Sequence, residues 1–386
     1  MHYIEFDKIS TTKEDQIMYK SKALFNYISK QFTMHNSRII LICEMVLAII
    51  KVGSVQQPKI AQGIQSKAKT SSIIRRIQRF FEQQVLCPKI ASKFIFSLFC
   101  WEETIALTLD RTNWKFGKCD INFLVICGVY KGYSIPLCWL MLPHQGSSDL
   151  TIRINLLEML LMIMPISRIQ FLLADREFIG CDWFKYLEKS RIPFCIRIKE
   201  NTLVADTKRG GLIKLKNLFY NISITQDREL HQRISGVFLR IFATRTATGE
   251  LLILAISGND NIFDAFELYQ NRWSIETMFK AFKSSGFNFE DTHQVNLERL
   301  SKMMILLTIA YSWSVKIGEI KNNITPIKIK KHARPEFSFF FYGLRAIQTI
   351  LLKGTKKLQQ KLVILLEKIT LNKRVFPNLS KITVVY

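Results

Sequence analysis

The chain has 386 residues, and its 55 Lys and Arg against 31 Asp and Glu give a formal net charge of +24. With 48% apolar residues it can bury a core, which excludes a disordered basic tail and points to a polyanionic partner, most simply nucleic acid. The longest apolar runs, residues 39–50 and 303–315, fall short of the ~20 residues of a spanning helix, the N-terminus has no basic-then-apolar signal layout, and the eight cysteines, never arranged as C-x-x-C, read as buried reduced thiols of a cytoplasmic protein.

The charge is uneven: residues 1–100 balance at +9, residues 101–310 at +3 and residues 311–386 at +12. Residues 36–100 read as helical. Within them residues 57–63 predict one short helix and residues 70–84 a second, with Thr70 as its N-cap. Ile73, Ile74, Ile77, Phe80 and Phe81 then share an apolar face, while Arg75, Arg76 and Arg79 lie elsewhere on the circumference. A short helix, a turn and a helix with arginines outward is what a helix-turn-helix reader needs to meet phosphates and base edges. An ordinary amphipathic helix with a solvated basic face has the same pattern.

From residue 104 the texture changes. Residues 104–109 form a β-like run ending in Asp110, and residues 121–130 and 133–140 follow as a hairpin around Lys131-Gly132. Residues 150–164 read as a helix capped by Asp149, and residues 169–174 as a strand ending in Asp175. Residues 178–189 read as a helix and residues 193–198 as a strand. That order predicts an α/β sheet of mixed direction. Residues 200–260, with alternating stretches at 235–243 and 250–257, predict a β-rich insertion. A long helix is expected over residues 262–284, and residues 297–386 read as helical and basic.

Asp110 and Asp175 each end an apolar strand, and in open α/β sheets functional groups converge at the carboxyl ends of neighbouring strands. Two carboxylates there repel unless a cation lies between them, and all-oxygen sites suit Mg²⁺ or Mn²⁺. A turn-forming role is the alternative for either Asp alone. On one continuous helix, Tyr269, Arg272, Glu276, Lys280 and Lys283 fall within roughly 80° of the circumference and extend over ~21 Å. Beside them Leu268, Ile275, Met278, Phe279 and Phe282 form the docking face. The plainer account of this stripe is i,i+4 pairing of Glu276 with Arg272 and Lys280. Trp273, one step off the stripe, is open to stacking on a base or to packing. Glu177, two residues past Asp175, would approach the same cations if the strand continued. No G-x-x-x-x-G-K-[ST], H-E-x-x-H or G-x-S-x-G is present, and no small-molecule substrate or membrane partner is expected.

Tyr269-x2-Arg272-x3-Glu276-x6-Lys283 resembles the Y-R-E-K signature of bacterial insertion-sequence transposases of the DDE class. The segments 109–114 around Asp110 and 174–180 around Asp175 look like the same family, in the right order, and the resemblance covers roughly residues 35–315. It implies a ribonuclease-H-like core in which Asp110, Asp175 and Glu276 are catalytic and bind two divalent metals, Mg²⁺ with Mn²⁺ as a substitute. It further implies that Arg272, Lys280 and Lys283 hold phosphates and that Tyr269 contacts a phosphate or a displaced nucleotide, while the helix pattern at 70–84 gives Arg75, Arg76 and Arg79 as further DNA contacts. On this basis the chain divides into a helical DNA-binding region (1–100), a core in two parts (101–199 and 261–315) around a β-rich insertion (200–260), and a basic helical C-terminal region (316–386). The implied reaction is hydrolytic cleavage at terminal inverted repeats, then attack of the freed 3′-hydroxyls on target DNA. Paired ends imply a homodimer, for which Ile347, Leu351, Leu352, Leu362, Leu365 and Leu366 offer a surface unless they pack within the chain. Two alternatives share the pattern: a non-catalytic DNA-binding protein of this fold, and a ribonuclease-H-like nuclease that cuts without joining. The intact acidic trio weighs against the first, and the Y-R-E-K stripe, by resemblance, against the second.

Overall fold

The computed structural model describes residues 28–29, 32, 34–142, 146–206, 210–224, 226–257, 265–331 and 333–370. Helices α1 (Asn36–Val52), α2 (Gln57–Gly63), α3 (Thr70–Gln83) and α4 (Pro88–Ser97) come first. Strands β1 (Ile105–Phe116), β2 (Cys119–Tyr130) and β3 (Tyr133–Met141) lead to α5 (Leu150–Leu161), β4 (Ile169–Ala174), α6 (Cys181–Lys189) and β5 (Phe194–Arg197). Then come β6 (Leu203–Ala205), β7 (Leu212–Lys214), α7 (Leu215–Leu218), β8 (Asp227–Ile234), β9 (Val237–Arg245) and β10 (Leu251–Ile256). The last helices are α8 (Ala265–Gln270), α9 (Trp273–Lys280), α10 (Leu297–Ile324), α11 (Phe339–Lys353) and α12 (Lys356–Thr370). They divide into two compact units, one of residues 99–281 and one joining residues 1–98 to 282–386.

The unit of residues 99–281 is built on an eight-stranded mixed sheet of order β3-β2-β1-β4-β5-β10-β9-β8. β4 pairs in parallel with β1 and β5, whereas β2 runs antiparallel to β1 and β3. This β3-β2-β1-β4-β5 segment is the mixed-direction α/β sheet that the element order predicts. β2 is buried almost without interruption from Ile121 to Gly128, as expected for a strand covered on both faces. The hairpin at Lys131-Gly132 forms as its sequence requires. Both residues have positive φ, 50° and 80°, the condition for a tight turn whose twist matches its strands. Asp149 caps α5, its Oδ1 accepting the Ile152 N–H at 2.8 Å.

Two expectations change here, the end of β1 and the single long helix. β1 does not end at Leu109. Its parallel pairing with β4 stops at Leu109↔Ala174, but its antiparallel ladder with β2 carries it on to Phe116. The β-rich stretch joins the central sheet. β10 pairs with β5, and β9 and β8 extend the same sheet outward, so only β6–β7 stands as a separate two-stranded ribbon. The long helix is in fact two, α8 and α9, broken at Asn271-Arg272 and followed by a π-helical turn over Ala281–Ser285. Residues 262–264, its expected start, lie outside the described residues.

In the other unit, α10 runs for 28 residues, longer than its apolar run at 303–315 suggested. Its length and composition would suffice to cross a membrane, but 89% of its most apolar window is buried inside the protein. It packs closely on α11 because two glycines remove the intervening side chains. A Cβ at Gly318 would lie 1.8 Å from the Phe339 carbonyl oxygen, and one at Gly343 1.8 Å from that of Ser314. α3 buries Ile73, Ile77, Phe80 and Phe81 and exposes Arg75, Arg76 and Arg79. Thr70 is its first helical residue, and Lys69 occupies the N-cap position. Ile347, Leu362 and Leu366 are buried within the unit, while Leu352 is exposed. This unit carries 33 Lys and Arg against 12 Asp and Glu, so it holds +21 of the net charge. Of the eight cysteines, all free thiols, Cys43, Cys127, Cys138 and Cys195 are buried, but Cys100, Cys119 and Cys181 are exposed.

Candidate active site

Strand alternation decides which side chains meet. Successive residues of a strand face opposite sides, so Ala106, Thr108 and Asp110 share one face of β1, and Phe171 and Leu173 share one face of β4 with Asp175 just beyond it. Leu109 and Ala174 are partners in the parallel ladder, which brings Asp110 and Asp175 to the same level on adjacent chains. That face is covered by α8 and its flank: Tyr269 and Ala265 pack with Ala106, Phe171, Leu173, Cys195 and Leu254.

A chain of hydroxyls fixes α9 over Asp110. Thr108 Oγ1 and Ser134 Oγ are 3.0 Å apart, and Ser134 Oγ and Ser274 Oγ are 2.6 Å apart. Ser274 Oγ also accounts for part of the break before α9, since it bonds the Asn271 carbonyl at 2.6 Å. With Ser274 tied to the sheet, Glu276 follows two residues later on the same short helix. Nothing in the sequence singled out Thr108, Ser134 or Ser274. The available signal was the T-x-D spacing at 108–110, which puts Thr108 on the face of Asp110.

Arg272 lies between the acids. It is only 4% exposed; its Nη2 donates to Glu276 Oε1 at 2.7 Å, and its Nη1 is 3.6 Å from Asp110 Oδ2. Its guanidinium lies 5.6 Å from the centre of the Tyr269 ring. Asp110 Oδ1 accepts the Arg111 N–H at 2.7 Å, and Asp175 Oδ1 accepts the Arg176 N–H at 2.8 Å. Burial pushes the Asp110 carboxyl up to about 6. The Arg111 N–H and the Arg272 charge oppose that shift, and the charges of Asp175 and Glu276 add to it. Asp110, Asp175 and Glu276 therefore share one electrostatic field.

The expected surface stripe is only partly formed. Tyr269 is 2% exposed, because the sheet beneath α8 needs an apolar cover and the phenol ring supplies it. Its hydroxyl has no hydrogen-bond partner among the described residues, and burial pushes its pKa up. Glu276 is 55% exposed in its side chain, and Lys280 and Trp273 are also open to solvent. Lys283 belongs to the other unit, where its Nζ pairs with Glu290 at 2.9 Å. Arg75, Arg76 and Arg79 are in that unit too, and Arg76 is ion-paired with Glu44 of α1.

Among the described residues, no group of three or more His, Cys, Asp and Glu is placed to enclose a metal ion. The donor chemistry nonetheless fits a hard divalent cation. Asp110 on β1 and Asp175 just past the end of β4 stand level, Glu276 lies on the covering helix, and Arg272 reaches both Glu276 and Asp110.

A sequence-family model described as the transposase DDE domain matches residues 108–313, more than half of the chain, with Asp110, Asp175 and Glu276 inside it. The chain belongs to the transposase DDE domain family. No curated protein sequence matches it. Among solved structures it is similar to a piggyBac transposase in a synaptic complex with hairpin DNA, at a TM-score of 0.40 and 12% identity, covering 96% of this chain and 75% of that one.

Within the transposase DDE domain, Glu177 does not face the acids. Arg111 takes it in a two-pronged ion pair, Nε to Oε1 at 2.8 Å and Nη2 to Oε2 at 3.1 Å. The strand does not continue past Ala174. The chain turns instead, with the Phe178 N–H bonded to the Asp175 carbonyl at 2.9 Å, and this turn carries Glu177 to Arg111.

Proposed function

We propose that this member of the transposase DDE domain family is an active DNA transposase. It binds the terminal inverted repeats of an insertion sequence, cleaves there by phosphodiester hydrolysis, and joins the freed 3′-hydroxyls to target DNA. The observation that carries this reading is the convergence of Asp110, Asp175 and Glu276 on one face of the sheet, in one electrostatic field. Asp110, Asp175 and Glu276 would hold Mg²⁺ or Mn²⁺, which would supply the charge needed to activate a water or 3′-hydroxyl and to stabilise the leaving oxygen. The carboxylates then act as ligands, and no side chain becomes a covalent nucleophile.

Arg272 is placed to move between an internal and an external anion. With no DNA bound it satisfies Glu276 and faces Asp110; a phosphate at the same spot would offer its planar fork two oxygens. Lys280, exposed at the end of α9, adds a second phosphate contact, and Lys283 is a further DNA contact on the other unit. Tyr269 supports Arg272 from beneath rather than reaching DNA directly. The basic unit, with Arg75, Arg76 and Arg79 on α3, supplies grip on the repeats, and two ends held together require a homodimer.

The test uses terminal inverted repeats sought in the DNA on either side of the reading frame. A duplex carrying them, incubated with the protein, Mg²⁺ and a supercoiled plasmid, should yield nicked ends and covalently joined product. Nicking without joining would reduce the assignment to a nuclease, and binding without nicking to a non-catalytic DNA-binding protein.

A further inference from the structure

We propose that Arg111 and Glu177 are positioning residues that lock the turn bearing Asp175 to the strand bearing Asp110, and thereby set the metal affinity of the site. The proposal rests on the metal-ligand reading given above. Arg111 follows Asp110 in β1, so its side chain leaves the opposite face of the strand. Glu177 comes two residues after Asp175. The pair therefore spans the same two chain segments as the two aspartates, from behind. A planar guanidinium bonded through two N–H groups to both carboxylate oxygens fixes orientation as well as distance, which a single contact does not.

The lock is itself anchored on both sides. Arg111 Nη1 donates to Asn122 Oδ1 at 3.3 Å; Asn122 is buried on β2, and its Nδ2 donates to the Gly146 carbonyl at 3.1 Å. From α5 the buried Arg153 donates through Nη2 to the Glu177 carbonyl at 3.3 Å and through Nε to Ser148 Oγ at 2.9 Å. Its guanidinium also lies over the rings of Phe178 and Trp183, at 5.1 and 5.9 Å. Three elements, β1, β2 and α5, thus hold this turn. A divalent cation requires its oxygen ligands within a few tenths of an ångström, and residues that orient ligands typically contribute 10–100-fold in metal affinity.

Electrostatics and positioning predict opposite signs for Arg111. Removing a positive charge beside a cation site should tighten cation binding on charge alone, whereas loss of the lock should weaken it. The experiment is calorimetric titration of the full chain with Mn²⁺, without DNA, comparing the parent with Arg111→Gln, Arg111→Lys, Glu177→Gln, the Arg111→Gln/Glu177→Gln double variant, and Asp110→Asn. Unfolding of each variant is followed in EDTA. Arg111→Gln should bind Mn²⁺ about 10–100-fold more weakly while still unfolding cooperatively. Arg111→Lys should recover part of that loss, and the double variant should be no worse than the weaker single one. Equal or tighter binding by folded Arg111→Gln, or additive losses in the double variant, would overturn the lock. Should Arg111→Gln not fold, Arg111→Lys and Glu177→Gln decide it: parent-like affinity in both rejects the proposal. A parent that binds no Mn²⁺ removes the metal-ligand reading itself. A parent that binds, with Asp110→Asn that does not, keeps that reading whatever Arg111 does.

Discussion

Arg272 Nη1 lies 3.6 Å from Asp110 Oδ2, so the residue at the N-cap of α9 sets a positive charge against an acid of the central strand. The same guanidinium bonds Glu276, and it is nearly sealed from solvent. Replacing it with Gln leaves three mutually repelling carboxylates without their internal cation. Arg272→Gln should lower the unfolding free energy of the metal-free protein by about 1.5–3 kcal/mol, the range for a hydrogen bond to a charged group. Urea denaturation in EDTA at pH 7 measures it, and an unchanged midpoint would show that the bridge contributes nothing.

Asp110 gives a pH dependence with a definite sign. Its carboxyl titrates at about 6 in the folded chain, against 3.8 when unperturbed. The folded state therefore holds the proton more tightly, and this group's contribution to stability falls as pH rises from about 4 to about 6. Above that window the charged, buried Asp110 is a destabilising element of about 3 kcal/mol. Asp110→Asn should accordingly stabilise the metal-free protein at pH 7, with the difference vanishing near pH 4. Equal stability of parent and variant at pH 7 would contradict the burial argument.

The hydroxyl chain offers a gentler perturbation. Ser274→Ala removes one of its two links and leaves Thr108 and Ser134 bonded to each other. It should cost about 1 kcal/mol in stability. Because it frees α9, end cleavage should fall by more than the small loss of folded protein explains. Parallel unfolding and cleavage measurements separate the two.

How much of this was legible in the sequence follows from what each signal depends on. Asp110, Asp175 and the elements before them could be read because short apolar runs and a Lys-Gly turn are local features. The Asp149 cap could be read for the same reason. The split of the long helix could not, since residues 265–280 keep helical periodicity and the break is made by Asn271 and Ser274 bonding to the backbone and the sheet. Tyr269 reads as part of a polar stripe because a phenol is a donor, but the sheet beneath it needs a ring. Edge pairing of β10 with β5 and the Arg111–Glu177 pair depend on residues 55 or more positions apart, for which periodicity carries no information.

The close approach of α10 and α11 is a strict steric requirement. Alanine at Gly343 or Gly318 would drive a Cβ into a backbone carbonyl that cannot rotate away. Either substitution should destabilise the protein by about 3 kcal/mol or more, at the upper end for overpacking. Loss of soluble protein or a strongly lowered urea midpoint is expected, and parent-like unfolding would refute the packing.

Grip on DNA should be salt-dependent, and unequally so among the three arginines of α3. Removing one phosphate-binding side chain reduces the slope of log affinity against log salt by about 0.9. Arg75→Ala and Arg79→Ala should each show that change with a terminal-repeat duplex, and Arg76→Ala less, because Arg76 is already paired with Glu44. Identical slopes for all three variants and the parent would place the DNA elsewhere.

The central claim is that Asp110, Asp175 and Glu276 form one metal-dependent cutting site. Its most direct measurement is the single-turnover rate of nicking of a terminal-repeat duplex in Mg²⁺, for the parent, Asp175→Asn and Glu276→Gln at equal DNA occupancy. Nicking that leaves a 3′-hydroxyl, is abolished by EDTA and falls by more than about a hundredfold in both variants is the predicted result. Nicking by either variant at the parent's rate would contradict the claim.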